Sequence, residues 1–452
     1  MWKDDKSSLF LKKGELFMSL FDQITSEIEK TGVAKNRGYI STYETGIAVL
    51  DNNNAIYNAD TNSYLKGIDA GTLTMFIGQS GSGKTTAALN IAGNIVRDRE
   101  NALIIHLDFE RASKDARVKK MLRFSDEEFA TKYERYDSEI SSEKFYALCK
   151  LIHKQKMAMY DSIKVETGAT DSKGNPIYEL PPTIIILDSL ATMYSDGTNQ
   201  EEEMSGQMST TAEAKLNNQI IKRLVASSIL EQANIMLFVI NHITTKIDIN
   251  PMQKTPSALN YLKPNEALPG GSSFPFLANF LLKFTAKDKL DPNGKSSTAT
   301  RYGIKGFINE ITIIKSRTSE SGRTFRVAFS QVEGFLDDVS SMMFLEENKL
   351  LHGSNRAYYI PTYPDQKFTA KTIHTVYSDP ENAEFRAAFD AYANKYMESI
   401  IPRTTDDKIR FDENGKRYEL FDAAEDIWIS PSDKERKYYD YDFNEVQVVE
   451  ED

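Results

Sequence analysis

The stretch "GQSGSGKTTAALN", Gly78–Asn90, constrains this chain more than any other. Gly78, Gly81 and Gly83 crowd a short loop that has no side chains with which to fill a core. It lies between an apolar run, "LTMFIG" (Leu73–Gly78), and a helix-forming run. The spacing Gly78-x-x-x-x-Gly83-Lys84-Thr85, placed after a strand pattern and before a helix pattern, is that of a P-loop. Its glycines let backbone N–H groups, with those of Ser82 and Thr86 among them, turn inward around phosphate oxygens. The helix N-terminus adds partial positive charge. Lys84 is placed to neutralise β- and γ-phosphates, and Thr85 to give its hydroxyl to Mg²⁺. ATP and Mg²⁺ are the expected cofactors.

The texture around the loop sets the fold. "ALIIHLD" (Ala102–Asp108), "TIIILDS" (Thr183–Ser189), "IMLFVIN" (Ile235–Asn241) and "FLLKF" (Phe280–Phe284) join "LTMFIG" as buried strands. Helical stretches separate the first four of these five runs, which predicts a mostly parallel sheet covered on both faces. "EITIIKSR" (Glu310–Arg317) and "TFRVAFS" (Thr324–Ser330) read as a hairpin that extends the sheet. The expected divisions are an N-terminal arm over 1–38, a core over 39–347 and a C-terminal region over 348–452. In the arm, Leu16, Phe17, Leu20, Phe21, Ile24 and Ile28 recur at helical spacing, so one face needs a partner, on a neighbouring copy or on its own core. Met18 is an alternative start. Beyond Glu347 the chain is rich in Tyr, Asp and Glu, has few runs able to build a core, and ends on an acidic "YYDYDFNEVQVVEED" expected to be flexible.

Other chemistry-bearing residues stand where strands end. Asp188 closes "TIIILD", at the mouth of the sheet where ligands of such sheets bind, and is expected to hold Mg²⁺ through its water shell. Glu110 follows Asp108 by two residues, just past another strand, and could orient a water for attack on the γ-phosphate. Asp108 or Glu110 could instead cap the next helix. His242 ends the strand "IMLFVIN", where a polar side chain could sense the γ-phosphate. From Ile243 to Gly271 no helix or strand pattern is legible, and long loops inside compact domains are usually functional. This loop carries Lys246, Lys254, Tyr261, Lys263 and the pair Gly270–Gly271, a mixture suited to backbone contact and stacking on single-stranded nucleic acid.

With these residues in line, the chain resembles RecA-family recombinases, and most closely the tailed-phage UvsX branch, from about Ile40 to Glu347. "YISTYETGIAVLD" resembles the family's segment leading to the P-loop. The D-x-E of "LDFER" resembles its catalytic-glutamate motif, at Glu110, and "IIILDSLATM" its Walker B strand. "INHITTK" matches the strand end where the family places its γ-phosphate sensor and second DNA loop. "IIKSRTSESGRTFRVAFSQVEGFLDD" is the most specific match, and implies that Lys315 and Arg317 reach across to a neighbouring subunit's ATP. Two cations two residues apart on a strand share a face, and an arginine supplied in trans is a known device for stabilising transferring phosphate charge. The P-loop is more conventional than in some UvsX proteins, and Glu201–Glu203 fall where the family's first DNA loop begins.

The resemblance implies an α/β, RecA-type P-loop ATPase core with a short N-terminal helical arm used in polymerisation and a C-terminal extension. It implies a DNA-dependent ATPase that forms helical filaments on single-stranded DNA, pairs it with duplex DNA, and works with mediator and single-strand-binding proteins. A RecA-core helicase or branch-migration motor, and a nucleotide-gated scaffold that binds no DNA, are the competing readings. The single cysteine, Cys149, excludes an intramolecular disulfide and fits a reducing compartment. No apolar run reaches membrane-span length and no signal-peptide pattern opens the chain, so a cytoplasmic location is expected. A net charge of -11 argues against indiscriminate nucleic-acid coating, but only the local field meets a phosphate.

Overall fold

The structure is a computed structural model and describes residues 41–58, 63–111, 114–138, 140–170, 175–190, 219–225, 227–245, 259, 261–263, 266–269, 273–288, 297–401, 409–412, 414–422, 427–440 and 442–447. The expected arm over 1–38 lies outside them, as do Glu201–Glu203, Lys246, Lys254, Gly270 and Gly271. The chain divides into two compact units. One comprises 1–40 and 168–177, of which the described part is the ends of a two-stranded sheet. The other comprises 41–167 and 178–452 and contains everything below.

Nine strands form its main sheet: β1 (Leu73–Gly78), β2 (Leu103–Asp108), β3 (Tyr133–Tyr136), β4 (Thr183–Asp188), β5 (Ile235–His242), β6 (Phe280–Lys287), β7 (Gly306–Ser316), β8 (Thr324–Ser330) and β9 (Gly334–Leu336). Their order is β9-β8-β7-β6-β1-β5-β4-β2-β3. From β6 to β3 every pairing is parallel, while β7, β8 and β9 add on antiparallel. The principal helices are α1 (Lys84–Val96), α2 (Asp115–Leu122), α3 (Ser142–Ala158), α4 (Asp337–Glu347) and α5 (Ala383–Glu398).

Strand residues alternate between two apolar layers, as a period of two requires. Phe76, Ile104, Ile186, Phe238 and Phe284 meet Ala88, Ile91 and Ile95 of α1 on one side. Met75, Ile77, Ile105, Leu187 and Val239 meet Phe145 and Cys149 of α3 on the other. Both faces are thereby covered, so the central strands read as continuous apolar runs. This is the RecA-type P-loop core expected from the sequence. No helix among the described residues is long and apolar enough to cross a membrane.

Three expectations need correction. The chain beyond Glu347 does supply core: Ile360, Phe368, Ile373, Phe385, Phe389 and Met397 join the α1-side apolar layer. The acidic end is folded as far as Val446, in a five-stranded antiparallel sheet whose last two strands are Tyr438–Tyr439 and Glu445–Val446. Tyr418, Trp428 and Tyr439 form its small core. And the long loop has paired strands at its base, Thr244–Thr245 against Glu266–Ala267.

Candidate functional site

The loop from β1 to α1 turns on glycines with positive φ, Gly78, Gly81 and Gly83, the first of them also closely packed. A Cβ on Gly78 would lie 2.5 Å from the Phe284 carbonyl oxygen, and Gly83 has φ +87° with Phe329 Cε2 3.2 Å from where its Cβ would be. The loop is braced from β7: Asn309 Nδ2 donates to the Ser82 carbonyl at 2.6 Å, fully buried. The Ser82 hydroxyl oxygen has no partner.

Parallel register then brings the strand ends together. Asp188 of β4 pairs level with Asp108 of β2, and His242 of β5 with Gly78 of β1. A cavity of about 420 Å³ results, lined by Gly81, Gly83, Lys84, Thr85, Thr86, Glu110, Asp188 and His242. Of the residues singled out in the sequence, these eight share one site, with Ser82 and Gly78 behind it. Arg117, Phe307, Phe329 and Gln331 also line it, and no sequence motif points to them. Phe307 and Phe329 stack at 4.4 Å between centroids.

Within the cavity, Lys84 Nζ donates to the Gln79 carbonyl at 2.9 Å. Burial lowers its pKa, opposed by the Asp188 and Glu110 charges. The Thr85 hydroxyl donates to Asp188 Oδ2 at 2.7 Å. Burial pushes the Asp188 carboxyl up to about 6, the Thr85 hydroxyl opposing and the Glu110 and Asp108 charges adding. Glu110 Oε1 lies 3.0 Å from His242 Nε2. Burial alone would raise the Glu110 carboxyl, but hydrogen bonds from His242 and Ser189 and the Lys84 charge outweigh it and hold it below its ordinary value.

These donors fit a triphosphate and its magnesium. Lys84 and the glycine turns at the amino end of α1 line the cavity where phosphates would lie, and Thr85 and Asp188 present adjacent oxygens to a hard cation. Glu110 stands beside them, its carboxyl held below its ordinary value.

Lys315 and Arg317 are elsewhere. Ile311 is the β7 residue level with Gly78 across β6, and Lys315 lies four residues further toward the amino edge, about 13 Å away along the strand. Both cations donate to the Phe276 carbonyl, Arg317 Nη2 at 3.3 Å. Burial and the Arg317 charge push Lys315 down to about 8. Its Nζ also sits 5.6 Å over the Phe276 ring, which is 70% exposed. Arg317 stands just past the end of β7 rather than on the strand. Of the loop residues, Tyr261 is exposed and crowds Gly322 in the β7–β8 turn. Lys263 is exposed at the turn into Glu266–Ala267, its N–H donating to Glu266 Oε2 at 3.0 Å.

Residues 49–214 match the AAA domain family, a segment that contains the P-loop, Glu110 and Asp188 but covers less than half of the chain. No curated protein matches the chain in sequence. Among solved structures, the crystal structure of the RadB recombinase is matched at 17% identity and a TM-score of 0.34, over 60% of this chain and 92% of that one. The fold, the P-loop and the AAA match agree on a RecA-like P-loop ATPase core.

Proposed function

We propose that the chain is an ATP-dependent DNA recombinase of the RecA type, closest to the UvsX branch, that assembles into helical filaments on single-stranded DNA and pairs that strand with homologous duplex. ATP lies between subunits. Lys84 and the loop N–H groups hold its phosphates, and Thr85 and Asp188 hold Mg²⁺, which neutralises the charge that develops on the phosphate oxygens when bound. Glu110 orients the attacking water and takes up its proton. His242 fixes the Glu110 carboxylate and reports whether the γ-phosphate is present.

One observation carries the reading. The groups able to bind and cleave ATP meet in one cavity, while Lys315 and Arg317 stand at the far edge of the sheet beside an exposed Phe276. They cannot serve their own subunit's nucleotide, but they suit a neighbour's, as cations supplied in trans. An exposed aromatic next to them fits an edge covered by another copy.

The test mixes Lys315→Ala with Glu110→Gln, each expected to be strongly impaired alone. Interfaces that pair an intact Glu110 with a neighbour's intact Lys315 should restore part of the DNA-stimulated hydrolysis. No recovery, in mixtures shown to co-assemble, would reject the composite site.

A further inference from the structure

Behind the nucleotide cavity, β2 and β4 run side by side with Asp108 level with Asp188. His106 precedes Asp108 by two residues and therefore points to the same side of β2. His106, Asp108 and Asp188 each offer a ligand atom, and these atoms all lie within 4.8 Å of one another. All three side chains are buried, His106 and Asp108 completely and Asp188 to 4% exposure. Tetrahedral ligands at about 2.0–2.2 Å from one ion stand about 3.4 Å apart, so side-chain movements of about an ångström would close the shell.

The histidine is the feature that a plain acidic cluster lacks. Its Nδ1 lies 2.9 Å from the Tyr133 hydroxyl, while Nε2, equally buried, has no hydrogen-bond partner. A buried imidazole nitrogen left without a partner is an unusual thing for a folded core to retain. A metal-bound histidine characteristically has its other nitrogen held by a second group, as Tyr133 holds Nδ1 here. Arg135 faces the cluster from β3, with Nη1 3.8 Å from Asp108 Oδ2, but is more closely paired with Asp115 at 2.9 Å.

We propose that His106, Asp108 and Asp188 bind a divalent transition-metal ion of the Zn²⁺ or Mn²⁺ kind. One imidazole and two carboxylates favour such an ion over Mg²⁺. The site is separate from the Thr85–Asp188 pair but shares Asp188 with it, so entry is through the cavity that Asp188 lines. The ion would tie β2 to β4 beneath the cavity and fix the Asp188 carboxylate. Its binding does not depend on the proposed recombinase activity.

Titration of nucleotide-free protein with Co²⁺ in excess Mg²⁺, followed by visible absorption, tests the site. Saturable uptake of one ion per chain is expected. It should be lost in His106→Gln and weakened about tenfold or more in Tyr133→Phe, with circular dichroism and melting showing both variants folded. No saturable uptake by the parent protein, or unchanged uptake in folded His106→Gln, overturns the proposal. If His106→Gln does not fold, the parent protein labelled with ¹⁵N-histidine decides. Zn²⁺ should shift the ring nitrogen resonances of the histidine that responds to Tyr133→Phe, and a resonance that stays in place overturns the proposal.

Discussion

Asn309 holds the P-loop from two strands away, through a buried hydrogen bond to the Ser82 carbonyl. Asn309→Ala should cost about 1–3 kcal/mol, because a buried carbonyl loses its donor, and should weaken ATP binding as the loop loosens. Urea unfolding and nucleotide titration measure the two effects. Asn309, Phe307, Phe329, Gln331 and Arg117 were not legible in the sequence, since only register across β1, β6, β7 and β8 brings most of them to the cavity. Lys84, Thr85, Glu110, Asp188 and His242 were legible, because each ends or closely follows a buried parallel strand and so had to lie at the same edge of the sheet. For these residues the expectations are specific. Lys84→Ala should lose nucleotide binding, whereas Glu110→Gln should bind ATP but hydrolyse it about 10²–10⁴-fold more slowly. Asp188 adds a pH dependence. Its folded value of about 6 lies above the ordinary 3.8, so the folded state holds an extra proton between them. This group's contribution to stability is greatest in acid and falls as pH rises from about 4 to about 6. Mg²⁺ needs the ionised carboxylate, so Mg²⁺-dependent ATP affinity should rise over that interval, and the part of the rise due to Asp188 should vanish in Asp188→Asn.

Helix α5 shows what an element contributes when its sequence looks surface-like. Its buried residues Phe385, Phe389, Tyr392, Ala393 and Met397 follow helical spacing, but charged and tyrosine-rich surroundings hide that apolar face. Phe389 is fully buried in the α1-side layer, and Phe389→Ala should cost about 3–5 kcal/mol by chemical denaturation. Strand β3, "YERY", was likewise illegible, because a short edge strand with alternating charge has no apolar run. The segment Ile373–Ser378 is fastened by His374, whose Nδ1 lies 2.7 Å from Asp338 Oδ2 and Nε2 2.9 Å from Glu333 Oε2. The hydrogen bond to Asp338, with the charges of both carboxylates, raises His374 to about 9 against burial. The sign follows from a folded value above the ordinary 6.5: the stabilisation is complete below about 6.5 and is lost as pH rises through about 9. Melting temperatures of the parent and His374→Ala should therefore differ most near pH 6 and converge above pH 9. Further on, the acidic end has a structural use, since removing it from Tyr438 would take Tyr439 out of its small core.

At the scale of the whole molecule, the proposed binding of DNA by a chain of net charge -11 requires a local basic strip. Repulsion from the bulk charge is screened beyond about 8–10 Å at physiological salt. Neutralising Lys246, Lys254 and Lys263 together should weaken single-strand binding and make the plot of log affinity against log salt shallower. If each lysine meets one phosphate, the slope should fall by about 2. The parallel order of the sheet was legible in its alternating strands and helices, whereas the placement of Lys315 and Arg317 opposite the cavity required the antiparallel register of β7 on β6. That placement is why the account needs a second copy of the chain. Electron microscopy of the protein with an unhydrolysable ATP analogue, with and without single-stranded DNA, tests this most directly. Regular helical filaments should form on the DNA, with adjacent subunits enclosing the nucleotide. Closed rings, or assemblies that form equally well without DNA, would contradict this reading.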